Sequence, residues 1–254
     1  MGGDAAPGMV VGGAALARER HPNLRFIMFG DEAEINPLLS RHRALRDCVE
    51  GRHTEHKIMA TDRPSQALRQ GRQSSMRLAI NAVADGEAGG VVSAGNTGAL
   101  MAMSKFALKP MKGIDRPAIC GFLPTLRGES VMLDLGANVE CDQDNLVQFA
   151  IMGAAFARTI LGLPRPTVGL LNVGEEEMKG NEAVKGAAAV LNEAELPLRF
   201  HGFIEGDDIA KGTTDVVVTD GFSGNVALKT IEGTATLFSQ FLRRAFSQSI
   251  LSKL

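Results

Sequence analysis

Residues 215–230 read DVVVTDGFSGNVALKT. Val216, Val217 and Val218 form a β-branched run bounded by polar residues, the pattern of a short strand buried on both faces. Gly221 and Gly224 punctuate a turn, and a helical pattern begins at Asn225 and Val226. A strand, a Gly-rich turn and a helix start make a ready anion site. The first turn of a helix leaves backbone N–H groups unpaired and carries the positive end of the dipole, and the glycines let a ligand approach the backbone closely. An ordinary βα turn has the same outline, so this stretch alone does not establish a site.

The grammar recurs. Val91 and Val92 lead into SAGNTGAL, Val131 to Leu135 into GAN, and Val168 to Leu171 into NVG. In an open parallel sheet such turns lie at the carboxyl ends of the strands, where ligands bind. Four Gly/Asn-rich turns on one edge predict a site for an anion, phosphate being the simplest.

In chain order the pattern predicts a helix over 10–20, a strand over 24–29, a helix from Asp31 to about Arg46 and a short strand over 57–60. A helix over 74–84, the Val91 strand and a helix over 97–108 follow. Segments 118–123 and 131–135 read as strands joined at Gly128 like a hairpin, which interrupts the α/β alternation. Asp142 is a natural N-cap for a helix to Ile160. A strand over 167–172, an Ala-rich helix over 181–195 and a strand over 198–204 complete the chain up to Val216. Strands and helices alternating through short loops predict a doubly wound, mostly parallel sheet. No low-complexity linker marks a domain boundary.

With 254 residues and 44% apolar content the chain can bury a large core. A net charge of −2 gives no global drive toward nucleic acid. Trp and Tyr are absent, which removes most stacking platforms for single strands. The charge is uneven, however: residues 18–77 hold twelve Arg and Lys against eight Asp and Glu, an excess suited to an acidic partner or to a solvated surface. Cys48, Cys120 and Cys141 are scattered, as expected in a reducing cytoplasm, and form no zinc ribbon. No apolar run is long enough to span a membrane, and no signal peptide is evident.

Several motifs are missing: the P-loop, a full G-x-G-x-x-G and G-x-S-x-G. His53 and His56 fall in a polar, loop-like segment, where a metal is the minority reading. Cys141-Asp142-Gln143-Asp144-Asn145 starts like a calcium loop but reads as a helix cap. In Gly174-Glu175-Glu176-Glu177-Met178-Lys179, Lys179 stands among acids at a strand's carboxyl end. It is either a solvated partner of glutamate or a cation aimed into the anion site. After Val226 the residues Ile231, Ala235, Phe238, Phe241, Leu242, Ala245 and Phe246 follow helical spacing beside Arg243 and Arg244, and the register continues to Leu254. Core or dimer packing is the default reading of this stripe, and peripheral membrane contact the alternative.

The motifs MGGDxxP, SAGNTGAL, GIDRPA, LDLGANV, LLNVGEEExKGNE and DVVVTDGFSGNVALKTIEG, in this order, closely resemble the PlsX-type phosphate acyltransferase family of bacterial phospholipid synthesis. The resemblance implies a three-layer α/β/α sandwich akin to phosphotransacetylase and isopropylmalate dehydrogenase. It implies acyl transfer from acyl carrier protein to inorganic phosphate, giving acyl phosphate, with no enzyme nucleophile, cofactor or metal. Lys179 and Asn225 match the family's catalytic positions, and Gly95, Asn96, Thr97, Gly98, Asn138, Asp220, Ser223 and Gly224 are the expected substrate-binding residues. A homodimer is implied as well, cytoplasmic and peripherally held on the inner face of the cell membrane by helices after GFSGN. There it would meet a downstream glycerol-3-phosphate acyltransferase. Two features depart from the family: Ala5 stands where His is usual, and relatives begin with an earlier strand and continue past Leu254. The chain is thus expected to be a single domain over 1–254 lacking those two segments. Other readings are a coenzyme A-dependent phosphotransacetylase, an isopropylmalate-type dehydrogenase needing a metal and a nicotinamide, and a non-catalytic carrier-protein or membrane binding module.

Overall fold

The valine run at 216–218 is the middle strand of a five-stranded sheet, and all three side chains are buried. The computed structural model describes residues 2, 3 and 5–247. The last helical turns foreseen toward Leu254, and Met1 and Asp4 of MGGD, lie outside them. The chain divides into two compact units, residues 1–113 and 114–254.

The first unit holds α1 (Gly8–Arg20), β1 (Phe26–Gly30), α2 (Glu32–Leu39), β2 (Val49–His53), α3 (Pro64–Gln70), α4 (Ser75–Ala84) and α5 (Thr97–Leu108). β1 and β2 pair in parallel. Three expectations fail here. The helix from Asp31 stops at Leu39 rather than Arg46: Pro37 interrupts the hydrogen-bond ladder, and only a 3-10 turn at Arg43–Leu45 follows. Residues 57–60 are not a strand; β2 is instead the polar VEGRH, which carries His53, and it forms because β1 offers a ladder. Val91 and Val92 are not a strand either. Among the described residues no ladder reaches them, and Val92 is 94% exposed. β-Propensity without a partner strand leaves the backbone to water.

The second unit holds β3 (Cys120–Thr125), β4 (Gly128–Leu133), α6 (Gln143–Ile160), β5 (Thr167–Leu171), α7 (Glu182–Glu193), β6 (Arg199–Ile204), α8 (Gly206–Lys211), β7 (Val216–Val218) and α9 (Gly221–Ser247). The strand order is β3-β4-β7-β5-β6; β3 and β4 form the antiparallel hairpin turned at Gly128, and the other pairings are parallel. Val131, Leu133, Val168, Leu170, Val216 and Val218 face Phe149, Ala150 and Ala154 of α6 and Ala187 and Leu191 of α7. Met132 and Val217 face the other way, toward Ile209 of α8 and Ala227, Leu228 and Ile231 of α9. Helices on both faces explain why the central strands are apolar without alternation, and they make the three layers. Close approach is set by Gly153 of α6, where a Cβ would come within 2.6 Å of Val216 Cγ1. Asp142 caps α6 in a reciprocal box with Asn145, so the calcium-like stretch is a helix cap.

α9 begins at Gly221, four residues before the expected turn ends. Asp220 caps it, accepting from Ser223 N–H at 2.8 Å and from Ser223 Oγ–H at 2.9 Å. The glycines of GFSGN therefore belong to the first helical turn. They let its backbone press on the loop after β4: a Cβ at Gly224 would fall inside the Asp134 carbonyl, and one at Gly221 would come within 2.6 Å of the Asn138 carbonyl. Gly224→Ala is expected to lower stability by about 2–3 kcal/mol through this overlap. Gly233→Ala, with open space around it, should instead raise stability by about 0.5–1 kcal/mol. Urea unfolding of the two variants checks the contrast; equal midpoints would remove the packing argument.

Candidate active site

β4, β7 and β5 are adjacent and parallel, so their carboxyl ends open on one edge of the sheet. Three loops leave that edge, at 134–138, 219–220 and 172–180.

The loop after β5 presents Lys179. Asn172 at the strand end shapes it: its Nδ2 donates to Gly174 O at 3.0 Å and to Lys179 O at 3.2 Å. The same amide fills the space where a Cβ at Gly180 would stand, and Gly180 takes φ +91°. Lys179 is exposed, and among the described residues its ammonium pairs with no carboxylate, although Glu175, Glu176 and Glu177 are sequence neighbours. The reading of Lys179 as a partner of glutamate therefore fails in this structure. Asn181 then caps α7 through Val184 N–H at 2.9 Å.

The loop after β7 leads to Asn225. Its Nδ2 donates to Leu135 O at 3.2 Å and lies against Gly136, which has φ +130°. Asn225 is the fifth residue of α9, past the four amides a helix leaves unpaired, so only its side chain is left to meet a ligand.

The loop after β4 differs from the expected anion cradle. Asp134 is fully buried, and its carboxylate collects five donors: Ile119 N–H at 2.9 Å, Gly136 N–H at 3.2 Å, Ala137 N–H at 3.0 Å, Asn138 N–H at 2.7 Å and Asn138 Nδ2–H at 2.9 Å. The nest of LDLGAN is filled by its own aspartate. Asn138 also donates to Pro117 O at 2.9 Å and is a structural tie. The start of α9 is occupied in a similar way, since Gly221 N–H donates to Asn138 O at 2.7 Å and Ser223 N–H to Asp220. The Lys179 ammonium lies on the same edge, in the loop after β5.

In the first unit Asn96 caps α5 through Ala99 N–H at 3.0 Å, and its Nδ2 donates to the carbonyls of Met59, Ala60 and Asp62. Gly95 N–H donates to Ser93 Oγ. The amides of Thr97 and Gly98 have no acceptor among the described residues, as is usual in the first turn of a helix.

Burial pushes the Cys141 thiol, next to Asn138 O, up to about 11, and the Cys120 thiol likewise. Neither is a thiolate nucleophile near neutral pH.

The family model described as "Fatty acid synthesis protein" matches residues 1–254. The chain belongs to this family. It is 60% identical over 253 residues to a phosphate acyltransferase of Paramagnetospirillum magneticum, and 63% identical over 254 residues to one of Rhodospirillum centenum. Each match takes in the whole chain and 72% of the relative. Among solved structures, the fold is similar to the EutD phosphotransacetylase from Staphylococcus aureus, with a TM-score of 0.54, 16% identity and coverage of 91% of this chain and 88% of that one. A branched-chain phosphotransacylase from Enterococcus faecalis gives 0.56 at 18% identity, over 91% of this chain and 82% of the other. The α/β/α sandwich and the resemblance read from the motifs both hold. Sequence reasoning passed over Asp134 and Asn172; their signal was local, an Asp or Asn at a strand end followed within two residues by Gly.

Proposed function

We propose that the protein makes acyl phosphate from acyl-[acyl carrier protein] and inorganic phosphate, for phospholipid synthesis. The observation that carries this is 60% identity to a phosphate acyltransferase across the whole chain, together with an exposed ammonium at the carboxyl edge of the sheet. A phosphate oxygen attacks the thioester carbonyl, the C–S bond breaks, and the carrier thiol leaves with a proton. The protein's part is to hold a dianion beside an electrophile and to stabilise the oxyanion that develops. Lys179 supplies the charge, and the Asn225 amide, leaning on the Leu135 carbonyl, orients phosphate or carbonyl. Asp220, Ser223 and Gly224 act by seating α9 so that Asn225 is in place, and Asn138 by holding the neighbouring loop. Comparing acyl carrier protein with acyl-coenzyme A as donor tests the reading. A preference for the coenzyme A ester would make the protein a phosphotransacetylase instead.

The second part of the proposal is a homodimer on the inner face of the cell membrane, passing its product to a glycerol-3-phosphate acyltransferase. Among the described residues no helix is long and apolar enough to cross a membrane. Beyond Ile231, however, α9 is exposed throughout its described side chains, with Leu237, Phe238, Phe241 and Leu242 uncovered, so past Ile231 the stripe is not buried among the described residues. Such a helix suits an interface, lipid or protein. Phe241→Glu is expected to weaken sedimentation with anionic vesicles several-fold without shifting the thermal midpoint. Unchanged sedimentation would assign the stripe to the dimer.

A further inference from the structure

α3, α4 and α5 pack on one another around Ala67, Met76, Ile80, Ala99 and Met103. None of the three carries an Asp or Glu, whereas Arg69, Arg77 and Lys105 lie on them and Arg72 in the loop joining α3 to α4. An open groove of about 700 Å3 is lined by Leu68, Arg69, Arg72, Arg77, Asn81 and Phe106. Among the described residues none of the three arginines pairs with a carboxylate; Arg77 Nε donates to Asn81 Oδ1 at 3.0 Å. Phe106 is 68% exposed and Leu68 is half-buried. Clustered guanidinium groups repel one another until an anion sits among them, and their forks match carboxylates in two-point contact. Arginine beside an uncovered aromatic ring is also the composition of an interface anchor.

We infer that this groove docks an acidic protein, which on the function proposed above is the acyl carrier protein. Carboxylates of the carrier seat on Arg69, Arg72 and Arg77, and an apolar side chain covers Leu68 and Phe106. The inference rests on that functional reading only for the partner's identity. An acidic protein is the occupant proposed because the arginines suit carboxylates while Leu68 and Phe106 beside them suit an apolar side chain of the same partner.

The experiment measures fluorescence anisotropy of labelled holo acyl carrier protein against the parent chain and against Arg69→Glu/Arg72→Glu. Both positions are exposed, so the variant should keep the parent's circular dichroism and melting profile. The expected result is a carrier affinity at least tenfold weaker in the variant, and a parent affinity that falls steeply as salt rises. Equal affinity in parent and variant overturns the inference, as does a parent that does not bind the carrier. A variant that keeps carrier affinity but loses anionic vesicles, or changes its oligomeric state, overturns it in favour of a membrane or a second copy. Acyl phosphate formation by the parent is assayed separately. Groove-dependent carrier binding without acyl phosphate would sink the functional reading and leave the groove standing.

Discussion

Lys179→Ala is expected to lower the rate of acyl phosphate formation on the order of a hundredfold, with the fold intact. A preorganised positive charge facing a developing oxyanion commonly contributes about 3 kcal/mol to the transition state. The ammonium is exposed and joins no ion pair among the described residues, so its removal leaves no buried partner uncompensated there and should leave the melting temperature unchanged. Turnover separates the roles. If Lys179 holds ground-state phosphate, the phosphate KM rises with it; if it holds only the oxyanion, kcat falls alone. Asn225→Ala should cost less in rate, because an amide dipole replaces no full charge. It should also loosen the 135–136 segment that Asn225 Nδ2 contacts. Near-normal turnover in folded Lys179→Ala protein would remove Lys179 from the mechanism.

Asp134→Asn should be the most destabilising conservative change in the second unit. The carboxylate accepts five hydrogen bonds in a fully buried place, and an asparagine turns one end of it into a donor facing donors. Leaving buried N–H groups without acceptors costs about 1–3 kcal/mol each, and more where the acceptor was charged. A total of about 3–5 kcal/mol is expected, partly relieved by rearrangement. For a chain of this size that lowers the melting temperature on the order of 10 °C. The loop it holds carries Gly136, against which Asn225 rests, so activity should fall even below the unfolding transition. Calorimetry checks the first effect, and a midpoint equal to the parent's would show that the five contacts are replaceable.

The core strands were legible because both of their faces are covered. Val216–Val218, Thr167–Leu171 and the Val131–Leu133 end of β4 are apolar runs that a two-sided burial explains. The cap at Asp142 was legible too, since a short polar side chain before an apolar-periodic stretch has few other uses; the caps at Asn96 and Asn181 are supplied by the structure. Strand β2 was hidden: VEGRH has no strand chemistry of its own and exists because β1 lies alongside. Val91 and Val92 failed for the opposite reason, having strand chemistry and no partner strand among the described residues. Around the candidate site, Lys179 is singled out by its place after a strand and Asn225 by the family resemblance, while the occupant of the LDLGAN nest is not legible in the sequence. A glycine-rich turn after a strand looks the same whether its amides await a phosphate or already surround an aspartate. Only the convergence of Ile119, from a different segment, on the same carboxylate settles which.

The central claim is direct transfer of the acyl group to phosphate, with no covalent intermediate on the protein. It is tested by mixing the chain with acyl-[acyl carrier protein], with and without inorganic phosphate. Acyl phosphate is trapped with hydroxylamine, freed carrier thiol is titrated, and the protein is weighed by mass spectrometry. The account predicts thiol and acyl phosphate in equal amounts, both dependent on phosphate, and a protein mass that never includes the acyl group. Thiol release without phosphate, together with an acyl group on the protein, would contradict it.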